Sequence, residues 1–356
     1  MSIDALGFRT SGRQLIAATE SRTDVIAVHA LVPPPVWMKV LNHSIPGVAD
    51  HGVHPARTWR WLVRRWLRGP LDGCRFDVVH ANPQMVAWGA AEAKERFGYR
   101  LSVACDTTER QFVRELTARK RPRRVEHGEA ATFAAADLIA PLSRWCERSL
   151  VNDYGIDSAR ILITPPTVAV PRDLPVRAPN ARPLRLAFVG NDFARKGGPR
   201  LFRWHQDRWA DRGVEMHFVG ADAEPRPGRL VTWHGGLPHD RVLALLATCD
   251  LLVHPTSGDM SPLVIAEAAT LGVPAVASRL AGIPDLVRDG ETGLLVPPPD
   301  DASFVAAVER LLFDDALRRQ FSDRARAFAR NELNTTVVYG RLIDRLVGLA
   351  ASSGPA

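Results

Sequence analysis

The sequence predicts an α/β protein of two domains, each a parallel sheet flanked by helices, with the sheets facing a central cleft. Three observations carry this. Strand-length apolar runs alternate with helix-length amphipathic segments, the pattern of parallel sheets. The stretch PPTVAVPRDLPVRAPNARP, Pro165 to Pro183, divides the chain, and its six prolines keep it out of helix and central strand. A chain of 356 residues suits two domains. The expected bounds are 1–166 for the first domain, 167–183 for the linker, 184–335 for the second domain and 336–356 for a last helix. That helix is expected to pack back on the first domain. Open α/β sheets bind ligands outside the carboxyl ends of their strands, which places a site in the cleft.

Along the first half, DVIAVHAL, FDVVHA and YRLSVAC read as strands, with helices at Met85 to Phe97 and Glu109 to Arg119. In the second half the strands are LRLAFVG, VEMHFVG, RLVTWHG, LLVHP, PAVAS and GLLV. Helices are expected at Arg241 to Cys249, Ser303 to Phe313, about Leu317 to Asn331 and Val337 to Leu349.

Composition excludes several classes. No run of 18 apolar residues predicts a membrane span, and MSIDALGFRTSGRQ lacks the apolar stretch of a secretory signal. Cys74, Cys105, Cys146 and Cys249 are far apart with no C-x-x-C, which points to a reduced cytosol. A net charge of +7 favours polyanionic partners: nucleotide diphosphates or anionic lipid headgroups. Nucleic acid is not expected, because no zinc finger, RNA-recognition signature or helix-turn-helix spacing is present.

The segment RTWRWLVRRWLR, Arg57 to Arg68, has two readings. Trp59, Leu62, Val63, Trp66 and Leu67 share one helix face, and arginines fill most of the rest. It is either a surface helix with this stripe in the core of the first domain, the more common case, or an interfacial helix on an anionic membrane. The second reading gives a peripheral location at the inner face of the membrane.

The most informative stretch is LLVHPTSGDMSPLVIAEAATLGVPAVAS. A strand leads into a loop carrying Asp259, and Ser261-Pro262 is expected to start a helix with Ser261 as its N-cap. Glu267 falls in the second turn of that helix, which ends at Gly272. A helix N-terminus at the carboxyl end of a strand suits an anion. A carboxylate beside it suits sugar hydroxyls, so the unit reads as a nucleotide-sugar pocket. Upstream, LRLAFVGNDFARKGG ends a strand in Gly190 and sets Arg195 and Lys196 at the mouth of the next helix.

Together these stretches resemble the family-4 retaining glycosyltransferases, which have the GT-B architecture of two Rossmann-like domains. The resemblance spans about residues 75 to 335 and includes the segment from Glu126 to Pro166. It implies that Asp259 and Glu267 stand where the family has a pair of glutamates separated by seven residues. It also implies that Gly190, Asn191, Arg195 and Lys196 hold the donor's diphosphate together with Met260, Ser261, Pro262 and Leu263. Asn191 stands where many members carry arginine. Gly236 and Leu237, after His234 and Gly235, resemble the loop that stacks on the donor base.

On the acceptor side the resemblance points to His80 and to a glycine-rich loop near the N-terminus, here Gly7 and Gly12. Many members place a histidine after the strand LSVAC. That slot is Cys105 with Asp106 next, and Asp106 is the candidate catalytic residue there. The implied activity is retaining transfer of a sugar from a nucleotide-diphosphate sugar to a glycan, a lipid-linked or a small-molecule acceptor, as in polysaccharide or glycolipid biosynthesis. No cofactor is expected, and the absence of an Asp-x-Asp motif leaves no metal requirement.

Three rivals are weighed. A nicotinamide dehydrogenase needs G-x-G-x-x-G after a strand, which VGNDFARKGG lacks. A phosphorylase or epimerase of this shape shares the cleft but not the motifs. A non-catalytic nucleotide-sugar-binding or scaffold relative stays open because of Asp259, Asn191 and Cys105.

Overall fold

The computed structural model describes residues 2–3, 8–29, 31–32, 63, 75–116, 123–169, 174, 177–178, 181–220 and 225–352. By internal packing the chain divides into two units. One is Met1–Pro165 with Thr335–Ala356, the other Pro166–Asn334.

In the first unit β1 (Ser2–Ile3) pairs in parallel with β2 (Leu31–Val32), and α1 (Phe8–Glu20) lies between them in sequence. β3 (Val78–Ala81), β4 (Arg100–Cys105) and β5 (Leu138–Pro141) form a parallel sheet in that order. Among the described residues the helices α2 (Gln84–Phe97), α3 (Glu109–Gln111), α4 (Arg123–Ala135) and α5 (Arg144–Tyr154) accompany it. α5 starts where the Ser143 side chain accepts a hydrogen bond from the Cys146 amide, an ordinary N-cap.

Two expectations are corrected here. DVIAVHAL is not a strand from Asp24 to Leu31. Asp24 is fastened to Arg22, Ile26 is fully exposed, and the ladder pairs only Leu31 and Val32. An alternating apolar pattern becomes strand only where a neighbour supplies the ladder. The helix expected over Glu109 to Arg119 is three residues of α-helix that widen into a π-helical turn, Phe112–Leu116, with the rest outside the described residues. Gly7 and the basic Trp/Arg segment 57–68 also lie outside them, except for Val63, which is buried.

The second unit is a six-stranded parallel sheet in the order β11-β10-β9-β6-β7-β8. Its strands are β6 (Arg185–Val189), β7 (Glu215–Val219), β8 (Val231–Trp233), β9 (Leu251–His254), β10 (Ala275–Ser278) and β11 (Gly293–Val296). Its helices are α6 (Gly198–Trp204), α7 (His239–Leu246), α8 (Leu263–Leu271), α9 (Asp301–Leu312) and α10 (Asp315–Glu332). One face of the sheet packs Leu186, Phe188, Phe218 and Val253 against Trp204, Phe304 and Val308. The other packs Ala187, Leu252 and Ala277 against Val264, Ile265, Ala268 and Phe328. Burial on both faces explains why these strands read as continuous apolar runs rather than alternating ones.

The last helix, α11 (Thr335–Ala351), belongs to the first unit. Val338, Tyr339 and Leu342 pack with Leu138 and Ala140 of β5, and the Tyr339 hydroxyl donates to the Ser11 carbonyl at 3.2 Å.

Candidate active site

In the six-stranded sheet the chain runs outward one way from β6 through β7 to β8 and the other way from β9 through β10 to β11. The reversal lies between β6 and β9, which are paired. The crevice outside the carboxyl ends of two such strands is where open α/β sheets take ligands. Here it is bordered by the loop 190–197 after β6 and the loop 255–262 after β9.

Hydrogen bonds lock the two loops together. The Arg195 carbonyl accepts from the Ser257 amide and from Ser257 Oγ, both at 2.9 Å. The Arg195 guanidinium bonds Asp192 at 2.6 Å and the Gly258 carbonyl. Gly197 sits in the left-handed region at φ 84, and a Cβ there would fall 2.2 Å from the Pro255 carbonyl oxygen. Only glycine permits that approach. Arg195 is therefore committed largely to the loop. Lys196 lies across Gly190, where a Cβ would meet Lys196 Cδ at 2.4 Å, and its Nζ is 3.3 Å from Asp259 Oδ2. Asn191 is exposed beside them.

Asp259 is mostly enclosed rather than a free loop acid. Burial alone pushes its carboxyl up, but the hydrogen bond from His254 Nε2 at 3.1 Å and the Lys196 charge outweigh it and hold Asp259 at about 2. His254 ends β9 and is fully buried, which pushes its own pKa down. It thus stays neutral and donates to an ionised Asp259.

The helix beyond starts later than expected. α8 begins at Leu263 with Pro262 as its N-cap, and no side chain caps it. Ser261 is not the cap: its Oγ is buried without a hydrogen-bond partner among the described residues. A helix whose first amides lack a side-chain cap keeps donors for an anion. Met260 is held by its carbonyl, which accepts from the Gly282 amide at 2.8 Å. The helix ends at Gly272, left-handed at φ 72, as the sequence indicates.

Glu267 is 4% exposed in the second turn of α8, and His239 Nε2 bonds its Oε1 at 2.7 Å. His239 is the first residue of α7, directly after the loop that holds Gly236, which is exposed, and Leu237, which is half-buried. The Glu267 carboxylate raises the pKa of His239. Sequence reasoning missed both His239 and His254. His254 carries a faint signal, a histidine closing an apolar strand five residues before an acid.

The remaining candidates lie in the first unit. His80 is in β3, and its Nδ1 pairs with Ser102 Oγ at 2.9 Å; burial lowers its pKa to about 3. Asp106 follows β4 directly. Gly12 is a correction: it lies inside α1, buried, and not in a loop. Its neighbour Ser11 is nonetheless close to the end of β3, since Asn82 Nδ2 donates to Ser11 Oγ at 3.2 Å. Among the described residues no three His, Cys, Asp or Glu side chains are grouped to hold a metal ion, and no helix is long and apolar enough to cross a membrane.

Comparison with known proteins decides the family. A model described as Glycosyltransferase Family 4 matches residues 13–172, and one described as Glycosyl transferases group 1 matches residues 223–328. The chain belongs to the family-4 glycosyltransferases. It is 29% identical to the glycogen synthase of Mycobacterium tuberculosis over 77% of this chain and 69% of that protein. It is 28% identical to the D-inositol 3-phosphate glycosyltransferase of Pseudarthrobacter chlorophenolicus over 93% of this chain and 84% of that one. Among solved structures, sucrose-phosphate synthase from Thermosynechococcus elongatus matches with TM-score 0.78 at 19% identity, covering 99% and 96% of the two chains. Anabaena HepE in complex with UDP matches with TM-score 0.71 at 16% identity, covering 98% and 100%. The fold of this glycosyltransferase is GT-B, and the dehydrogenase reading falls away.

Proposed function

We propose that this glycosyltransferase moves a sugar, with retention of anomeric configuration, from a nucleoside-diphosphate sugar bound at the β6/β9 switch point. The observation that carries the reading is Lys196, held by Asp259 between a glycine-ended strand and the uncapped start of α8. Complexes of Anabaena HepE with UDP and with UDP-glucose support a donor of this class.

In this reading Lys196 and the backbone N–H groups of Ser261 and Leu263 take the diphosphate, with Gly190, Asn191, Met260 and Pro262 around it. Arg195 shapes the loop. Gly236 and Leu237 face the base, and Glu267 takes ribose or sugar hydroxyls. The acceptor oxygen bonds to the anomeric carbon as the bond from that carbon to the phosphate oxygen breaks. The acceptor proton passes to the departing diphosphate. Charge growing on the diphosphate is met by Lys196 and by fixed backbone dipoles, which need no reorganisation. The step is proposed to need no metal ion or other cofactor.

The proposed acceptor is a glycan, a lipid-linked sugar or a small molecule, with Asp106, His80 and the Gly12 region on its side. Peripheral binding to an anionic membrane through residues 57–68 belongs to the same reading, as does a cytoplasmic location. Calorimetry with UDP and GDP tests the donor site. One of them is expected to bind in the presence of EDTA, and binding of neither defeats the proposal. Co-sedimentation with anionic but not neutral vesicles, reversed by salt, tests the membrane part.

A further inference from the structure

We infer that His239 is a positioning residue for the donor nucleoside: it fixes one oxygen of Glu267 so that the other meets the ribose hydroxyls. The inference rests on the reading of Glu267 as the nucleoside carboxylate.

Glu267 is the one charged residue of α8, in the sequence LVIAEAATL, and it is buried at 4% exposure. A carboxylate in such surroundings needs a hydrogen-bond donor. Among the described residues it has one, His239 Nε2 at 2.7 Å on Oε1. No hydrogen bond to Oε2 is present among the described residues. A carboxylate held at one oxygen has a fixed plane, and its second oxygen then has a fixed direction. That is the condition for discriminating a vicinal diol, which offers two donors at a set spacing.

His239 differs from a buried structural histidine. Its side chain is 47% exposed while its partner is enclosed, so the pair reaches the surface at the imidazole end. The charges acting on it are Glu267 across on α8 and Asp240 beside it on α7, and both favour the protonated ring. Charge-assisted bonds of this kind are shorter and stronger than neutral ones. His239 also opens α7 immediately after the loop 234–238, so the contact ties that loop to α8. Base-side and ribose-side recognition thereby move as one piece.

The test is calorimetry with UDP and GDP, and with the 2′,3′-dideoxy form of whichever binds. The proteins are wild type, His239→Phe, His239→Gln, Glu267→Gln and the double variant His239→Phe/Glu267→Gln. His239→Phe is expected to weaken the ribonucleotide about tenfold, as for one lost hydrogen bond to a charged group. It should leave the dideoxy form almost unaffected. His239→Gln, whose amide N–H can reach Oε1, should restore most of the affinity. In the Glu267→Gln background, His239→Phe should add nothing further.

An equal loss in both backgrounds, or an equal loss for the dideoxy form, overturns the inference and leaves His239 a structural residue. Unchanged ribonucleotide binding in His239→Phe, with weakened binding in Glu267→Gln, also overturns it. Unchanged binding in Glu267→Gln overturns the carboxylate reading beneath it, a separate result.

Discussion

Lys196 Nζ lies 3.3 Å from Asp259 Oδ2, the same oxygen that accepts a hydrogen bond from His254 Nε2. A buried histidine thus holds an acid, and the acid holds the cation beside Gly190. Lys196→Ala should weaken nucleoside-diphosphate binding by about 1.5–3 kcal/mol, the worth of hydrogen bonds to charged groups. Calorimetry reads this directly, and unchanged affinity removes Lys196 from the site.

His254→Leu should act through Asp259. The enclosed carboxylate loses its donor, at a cost of about 1–3 kcal/mol in stability, and its pKa should climb from about 2. Nucleotide affinity should fall as well, because Lys196 loses its fixed partner. A stable His254→Leu protein with unchanged nucleotide affinity would contradict the relay.

Gly197→Ala should destabilise the second unit by at least about 2 kcal/mol, since it adds left-handed strain to a clash with the Pro255 carbonyl. The two site loops meet at that point. Thermal melting and nucleotide affinity should therefore drop together, and a loss of only one separates the loops' structural role from binding.

Acid should weaken the fold through His217. Burial first, and His234 next, lower its pKa to about 4, and His217 Nδ1 lies 3.1 Å from His234 Nε2. An unfolded chain binds this proton near the ordinary value of 6.5, while the folded one resists it to about 4. Stability is therefore undiminished above 6.5 and falls as the pH drops through that window, by up to about 3 kcal/mol. Urea unfolding at a series of pH values should show the decline, and His217→Gln should flatten it.

Much of the second unit was legible because β6 to β11 are apolar and short and are set between punctuating glycines and prolines. Asp259 and Glu267 were legible as a loop acid and a helix acid, and they lie in the loop after β9 and in α8. Ser261 misled because Pro262 adopts the extended backbone of a cap and α8 starts one residue beyond it. DVIAVHAL misled because alternation signals a strand only when a neighbour pairs with it, and the observed pairing covers Leu31 and Val32. His239 was invisible because its role depends on α7 and α8 meeting in space, 28 residues apart in sequence. Gly12 was placed in a loop by the resemblance to the family's glycine-rich opening, yet it lies buried within α1.

The most direct test of the account is release of nucleoside diphosphate from its sugar by wild type and by Glu267→Gln. Glutamine keeps the size and the hydrogen-bonding atoms of Glu267 and removes its charge, so the variant should fold with an unchanged circular dichroism spectrum. Wild type should release UDP from a UDP-sugar, or GDP from a GDP-sugar. The variant should do so slower by about two orders of magnitude, because a small misplacement of bound donor costs that much. A folded Glu267→Gln protein that turns over donor at the wild-type rate would contradict the assignment of this carboxylate and of the donor site built around it.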